Sequence, residues 1–203
     1  MAAKPKINPS DVFINAPFDD DYERVFVATL AGLVGLGLNP RCVLEIPPNA
    51  DRLRRLHGLI SVCPFSLHDL SRVQVSRSGQ FRVPRFNMPF ELGLAAAIAE
   101  TNNGASHQWM MLEEKRFRLG QSLSDVSGYD SYVHGGTIEG MVDALLDIFS
   151  NLPAPPLSSK QDLMWVYRQL RVFQNTLRAN LYRPNSFKLL VLAARGYVAE
   201  RLA

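Results

Sequence analysis

The sequence predicts an α/β fold: a doubly wound, parallel sheet of five strands in the order 2-1-3-4-5, followed by a two-helix appendage at the C-terminal end. Three observations carry this reading. Short apolar runs of strand length alternate with longer stretches whose apolar residues recur at helical spacing. Strands and helices alternating at this spacing imply a parallel sheet with helices on both faces. A proline-rich tract, Asn151-Leu152-Pro153-Ala154-Pro155-Pro156-Leu157-Ser158-Ser159, then separates the alternating part from two further helices. The expected division is an α/β domain over residues 1–150, then a linker and helical pair over 151–203.

Asp11-Val12-Phe13-Ile14-Asn15 has the unbroken apolar character of a buried strand and is closed by Ala16-Pro17-Phe18. Acidic residues from Asp19 to Glu23 then suit the positive end of a helix that carries Val25, Phe26, Ala28, Leu30, Leu33 and Leu36. Gly35 and Gly37 end it. Pro40 to Leu44 reads as the second strand and Pro47-Pro48-Asn49 as a turn. Asp51 opens a helix with Leu53, Leu56, Leu59 and Ile60 inside and Arg52, Arg54, Arg55 and His57 outside. Phe65 to Leu70 is the third strand, and a long polar and basic loop runs from Val73 to Arg85. Pro89 suits the first turn of the next helix, where its missing N–H is not needed, so Glu91 is expected in that first turn. Asn102-Asn103-Gly104 leads to a fourth strand, Gln108 to Leu112. A weaker fifth lies at Asp130 to Val133, and Gly135-Gly136-Thr137 starts a helix bearing Ile138, Met141, Leu145, Leu146 and Phe149.

The appendage carries Leu163, Val166, Leu170, Phe173 and Leu177 on one helix. The other, after Pro184-Asn185-Ser186, carries Phe187, Leu190, Val191, Ala194, Val198 and Leu202. Neither apolar face can stand alone, so docking in cis is expected, with a helical contact between copies as the second option. A homo-oligomer is the expected assembly.

A formal charge of +3 and a pI near 9.0 suit an anionic small ligand and fall short of a nucleic-acid binder. Cys42 and Cys63, the only cysteines, lack a Cys-x-x-Cys pair and read as reduced core residues. The start of the chain lacks a signal-peptide pattern, and no apolar stretch reaches membrane-spanning length. A cytoplasmic protein with no membrane partner is expected. His57, His68, His107 and His134 show no metal-ligand spacing, so no metal is expected. The glycines lack the strand-turn-helix setting of a dinucleotide or phosphate loop, and no Gly-x-Ser-x-Gly elbow is present; no cofactor is implied. Trp109 and Trp165 read as core residues.

In an open parallel sheet, ligands bind beyond the carboxyl ends of the strands where the strand order reverses. Here that is the gap between the first and third strands. Asn15, Pro17, Phe18 and Asp19 emerge on one side of it, and His68, Asp69 and Arg72 on the other. Glu91 starts the following helix over the same crevice, with Arg85, Asn87 and Met88 just before it. Polar groups meeting in one pocket mark the default site, and a carboxylate at a helix start is favoured in its ionised form.

Asn15-Ala16-Pro17-Phe18, the strand-end Asp69 and Phe90-Glu91-Leu92-Gly93 resemble the nucleoside 2-deoxyribosyltransferase superfamily, which is flavodoxin-like and related to the NAD-cleaving Toll/interleukin-receptor (TIR) domains. The strings Phe13 to Asp20 and Arg85 to Gly93 look most like a bacterial branch of that clan, over about residues 11–150. The resemblance implies that Glu91 is the carboxylate nucleophile, and that Asp69 and the Asn15–Phe18 loop hold the nucleobase. The loop from Val73 to Arg85 departs from the short Gly-rich segment usual there. Its Arg77, Arg82 and Arg85 suggest a phosphorylated ligand, since guanidinium groups match phosphate oxygens with paired hydrogen bonds. The expected function is N-glycosidic bond cleavage or transfer on a nucleotide, nucleoside or NAD, with Asp69 or His68 holding or protonating the base. The alternative is a non-catalytic, TIR-like module that senses a nucleotide or assembles with a protein.

Overall fold

The computed structural model describes residues 7–46, 51–73, 75–78, 81–101, 107–116, 123–126, 128–177 and 180–203, with the backbone alone for 75–78 and 81–84. Its elements are β1 (Asp11–Asn15), α1 (Glu23–Gly35), β2 (Asn39–Cys42), α2 (Arg52–Ser61), β3 (Phe65–Asp69), β4 (Val75–Ser78), β5 (Phe81–Pro84), α3 (Asn87–Thr101), β6 (Gln108–Glu113), β7 (Tyr132–Val133), α4 (Ile138–Ile148), α5 (Lys160–Leu177) and α6 (Pro184–Leu202). They group into two compact units. One is Met1–Pro17 with Arg41–Tyr132, and the other is Phe18–Pro40 with Val133–Ala203.

The first unit is built on a five-stranded parallel sheet of order β2-β1-β3-β6-β7. Counting only this sheet's strands in chain order, that is 2-1-3-4-5, the flavodoxin-like arrangement expected from the sequence. All five residues of β1 are buried, as a strand covered on both faces requires. β1 and β3 pair with Asn15 opposite His68, and β3 and β6 with His68 opposite Met111 and Asp69 opposite Leu112. α3 packs on β1, β3, β6 and α2. Met88, Glu91, Leu92, Ala95, Ile98 and Ala99 form its buried stripe at three- and four-residue steps. Met88 and Leu92 close over Leu70 and Met111.

Several local expectations change. β2 is shorter than Pro40 to Leu44, because Val43–Glu45 turns into a 3-10 segment closed by the Glu45 carboxylate on the Cys42 N–H, 3.0 Å. The long loop from Val73 to Arg85 contains an antiparallel hairpin, β4 on β5, with Arg77 in register with Arg82. The fifth strand is only Tyr132–Val133. The turn expected at Pro47-Pro48-Asn49 and the connection at Asn102-Asn103-Gly104 lie outside the described residues.

The second unit gathers α1, α4, α5 and α6, with α5 and α6 packed on α1 and on each other. α1 is buried from Val25 to Gly35, and its approach to α4 depends on Gly32, where an added Cβ would stand 2.5 Å from Leu145 Cδ1. α1 closes in a Schellman turn. Gly37 takes φ +81, its N–H reaches Val34 O at 3.0 Å, and Leu38 N–H reaches Leu33 O at 2.9 Å. α6 begins earlier than expected, with Pro184 in its first turn. Trp165 is not a core residue. With Lys160, Met164, Arg168 and Arg201 it lines an open groove, and the Arg201 guanidinium lies 5.6 Å from its ring centre. Among the described residues no helix is long and apolar enough to cross a membrane.

Candidate functional site

Within the first unit, β1 and β3 end side by side at the reversal of strand order, and α3 begins above them. One side chain ties the three together. Asn15 Nδ2 donates to the Met88 carbonyl at 2.8 Å and lies 2.9 Å from His68 Nδ1. Because Met88 and Glu91 are three residues apart on one helix, they share the stripe of α3 that faces inward.

Glu91 is the anomaly in that stripe. It occupies a position otherwise filled by Met, Leu, Ala and Ile, and only 9% of its surface is exposed. α3 starts at Asn87, so Glu91 is the fifth helical residue rather than a first-turn acid. The consequence reverses the expected electrostatics. Asn87 and Met88 take helical conformation ahead of Pro89, so the dipole's strongest region precedes Glu91. Burial, opposed by the charge of Arg52, pushes its carboxyl up to about 7. Among the described residues no donor forms a hydrogen bond to it. Its charge adds to burial and Glu45 in raising the Cys42 thiol.

Below Asn15 runs a buried chain of polar groups along one face of β3. His68 Nε2 lies 2.9 Å from Ser66 Oγ, which lies 2.9 Å from His107 Nε2, and His107 Nδ1 lies 2.7 Å from the Cys63 carbonyl. Ser66 and His68 are fully buried. Burial, with His107 adding, drives the His68 imidazole down to about 3, and burial also lowers His107. Both rings are therefore neutral. His68 is sealed, with each ring nitrogen engaged by protein, so it supports Asn15 rather than protonating a leaving base. His107 and Ser66 were not singled out from the sequence, because they stand 41 positions apart and meet only when β3 and β6 pair.

The other expected site residues each have their own local surroundings. Strand alternation puts Asp69 on the opposite face of β3 from Ser66 and His68. There Asp69 is buried and its Oδ1 accepts the Ser71 N–H at 2.8 Å, holding the strand-end turn. Arg72 follows that turn, with Nε withdrawn from solvent and without an acceptor among the described residues. Pro17 is buried; Arg85 is half-buried and Asn87 exposed. Phe18 and Asp19 have duties inside the second unit. Phe18 packs against Phe26 and Tyr182, at 5.7 and 5.1 Å between centroids. Asp19 caps the 3-10 turn Asp20–Tyr22 by accepting the Tyr22 N–H at 3.0 Å, and its carbonyl takes the Tyr182 hydroxyl at 2.6 Å. Arg77 and Arg82 lie where only the backbone is described.

Sequence reasoning also passed over Glu113. This buried carboxylate at the end of β6 accepts a hydrogen bond from Ser131, and no motif pointed to it. Both cysteines are buried and unbridged. Among the described residues no group of three His, Cys, Asp or Glu side chains could hold a metal ion. No protein-family model matches the chain, and no curated protein matches it.

Proposed function

We propose that the first unit binds a nucleotide, nucleoside or NAD beside the ends of β1 and β3 and cleaves or transfers its N-glycosidic bond, with Glu91 as the reacting carboxylate. The observation that carries this reading is Glu91 itself, an ionisable group placed in the inward stripe of α3 and held near pKa 7. A strongly perturbed acid in a helix core is expensive to keep and marks a functional candidate. The flavodoxin-like strand order supports this location, because ligands bind such sheets at the reversal.

Breaking the bond between C1′ and the base leaves the electron pair on the base nitrogen and builds positive charge on C1′ and the ring oxygen. That charge favours the ionised form of Glu91, which burial opposes while the site is empty. The interaction is therefore stronger in the transition state than in the resting site, as catalysis requires. The carboxylate then attacks C1′, or takes a proton from the water that does. Nicotinamide leaves as a neutral group and needs no proton, whereas the base of a nucleotide or nucleoside takes its proton from water as it leaves. The unmatched Nε–H of Arg72 supports an anionic ligand, because a phosphate oxygen would supply the acceptor once the guanidinium turns toward it.

The test is release of base from NAD and a panel of nucleotides and nucleosides. Wild-type protein should release base from at least one of them. Glu91→Gln should bind the same ligand with turnover lost and melting retained. Full turnover in that variant removes Glu91 from the chemistry. Ligand binding without any base release by wild type would favour the non-catalytic sensing module.

A further inference from the structure

The buried chain below Asn15 has only one self-consistent arrangement of protons, and it can be read from its far end. The Cys63 carbonyl can only accept, so His107 Nδ1 must donate to it. A neutral His107 then presents a bare Nε2, which accepts the Ser66 hydroxyl proton. Ser66 Oγ, having spent its hydrogen, accepts from His68 Nε2. His68 Nδ1 is left bare and accepts one hydrogen of Asn15 Nδ2, whose other hydrogen goes to the Met88 carbonyl. The two rings thus carry their protons on different nitrogens, Nδ1 in His107 and Nε2 in His68.

We propose that Asn15 is a positioning residue for Glu91: the fixed polarity of this chain presents the Asn15 amino group to the Met88 carbonyl, and that bond holds the opening turn of α3 so that the carboxyl one turn later stays inside. The role rests on the reading of Glu91 as the functional acid, but the hydrogen bonds stand whether or not that acid turns over a substrate. Three features single out this clamp. It joins residues 73 positions apart, it involves a backbone carbonyl in the first turn of α3, and its amide cannot flip without setting a carbonyl oxygen against two acceptors. Asp in place of Asn presents that clash directly. It forces a proton onto His68 Nδ1, and the rearrangement runs down to the Cys63 carbonyl.

The experiment is NMR on protein labelled with 15N in the imidazoles and 13C in the Glu carboxyls. In wild type, His68 should show its proton on Nε2, unchanged between pH 5 and pH 8, and His107 should show its proton on Nδ1 at pH 8. In Asn15→Ala the Glu91 midpoint should fall by at least about one pH unit from its value near 7 as water reaches the opening turn. Ile98→Val is the control, because it loosens the buried stripe of α3 without touching the hydrogen-bonded chain, and should leave that midpoint in place. An unchanged Glu91 midpoint in Asn15→Ala overturns the role. So does a His68 proton on Nδ1 in wild type, a measurement that needs no variant to fold. Absence of base release with these signatures present would fault the reaction assigned to Glu91 and leave the clamp standing.

Discussion

Arg52 on α2 supplies the positive charge that opposes the burial of Glu91 on the adjoining α3. Arg52→Ala should therefore move the Glu91 midpoint above about 7. Carboxyl NMR titration reads the change directly, and a downward movement would contradict the assignment of Arg52.

Glu91 also links stability to pH with a definite sign. Between its ordinary value of 4.5 and its folded value of about 7, the folded chain keeps a proton that the unfolded chain has released. The stability this contributes is full below 4.5 and is lost as pH rises through 7. The complete swing is on the order of 3 kcal/mol. Glu91→Gln should match wild type near pH 4.5 and exceed it at pH 9 by up to about that amount in urea denaturation. Equal stabilities at pH 9 would mean the carboxyl is better solvated than the structure shows.

His68 works in the opposite direction. Its folded value of about 3 lies below the ordinary 6.5, so the unfolded chain takes up the proton first. The stability involved is present above 6.5 and drains away as pH falls toward 3. From 4.5 to 6.5 the slopes from Glu91 and His68 oppose each other. Glu91→Gln should therefore lose about 1.4 kcal/mol more per pH unit on acidification than wild type does. His107, also lowered, adds to the loss.

Two glycines should respond with opposite signs to alanine. At Gly32 the new methyl meets Leu145 at 2.5 Å, so Gly32→Ala should destabilise by about 1–3 kcal/mol through overpacking. At Gly93, exposed on α3 with nothing within 4 Å of an added Cβ, alanine should stabilise by about 0.5–1 kcal/mol through helix propensity. Thermal melts of the two variants check the pair.

The sheet was legible because β1, buried along its whole length, carries an apolar run at Val12-Phe13-Ile14, and strand-length segments alternate with helical patterns. The final helices were legible for a similar reason: stripes such as Leu163, Val166 and Leu170 recur at helical spacing. The start of α3 was not. Pro89 fits any position of a first turn, so composition alone could not show that Asn87 already belongs to the helix. The β4–β5 hairpin escaped because Ser and Arg fill alternate positions of β4, leaving a pattern that reads as solvated loop. Glu91 and Asn15 were visible as candidates, but the burial of the first and the hydrogen-bond partners of the second were not. Ionisation depends on burial, and burial depends on which face of α3 turns inward. The Ser66–His107 link depends on strand register across a gap that no local pattern spans.

The polypeptide passes between its two units three times, at Pro17–Phe18, Pro40–Arg41 and Tyr132–Val133. No single cut can release either one. A chain ended after residue 150 would keep α1 and α4 yet lose α5 and α6, stripping from α1 the partners that cover its apolar surface. Such a fragment should precipitate on expression, so what looks like a dispensable tail is part of the architecture.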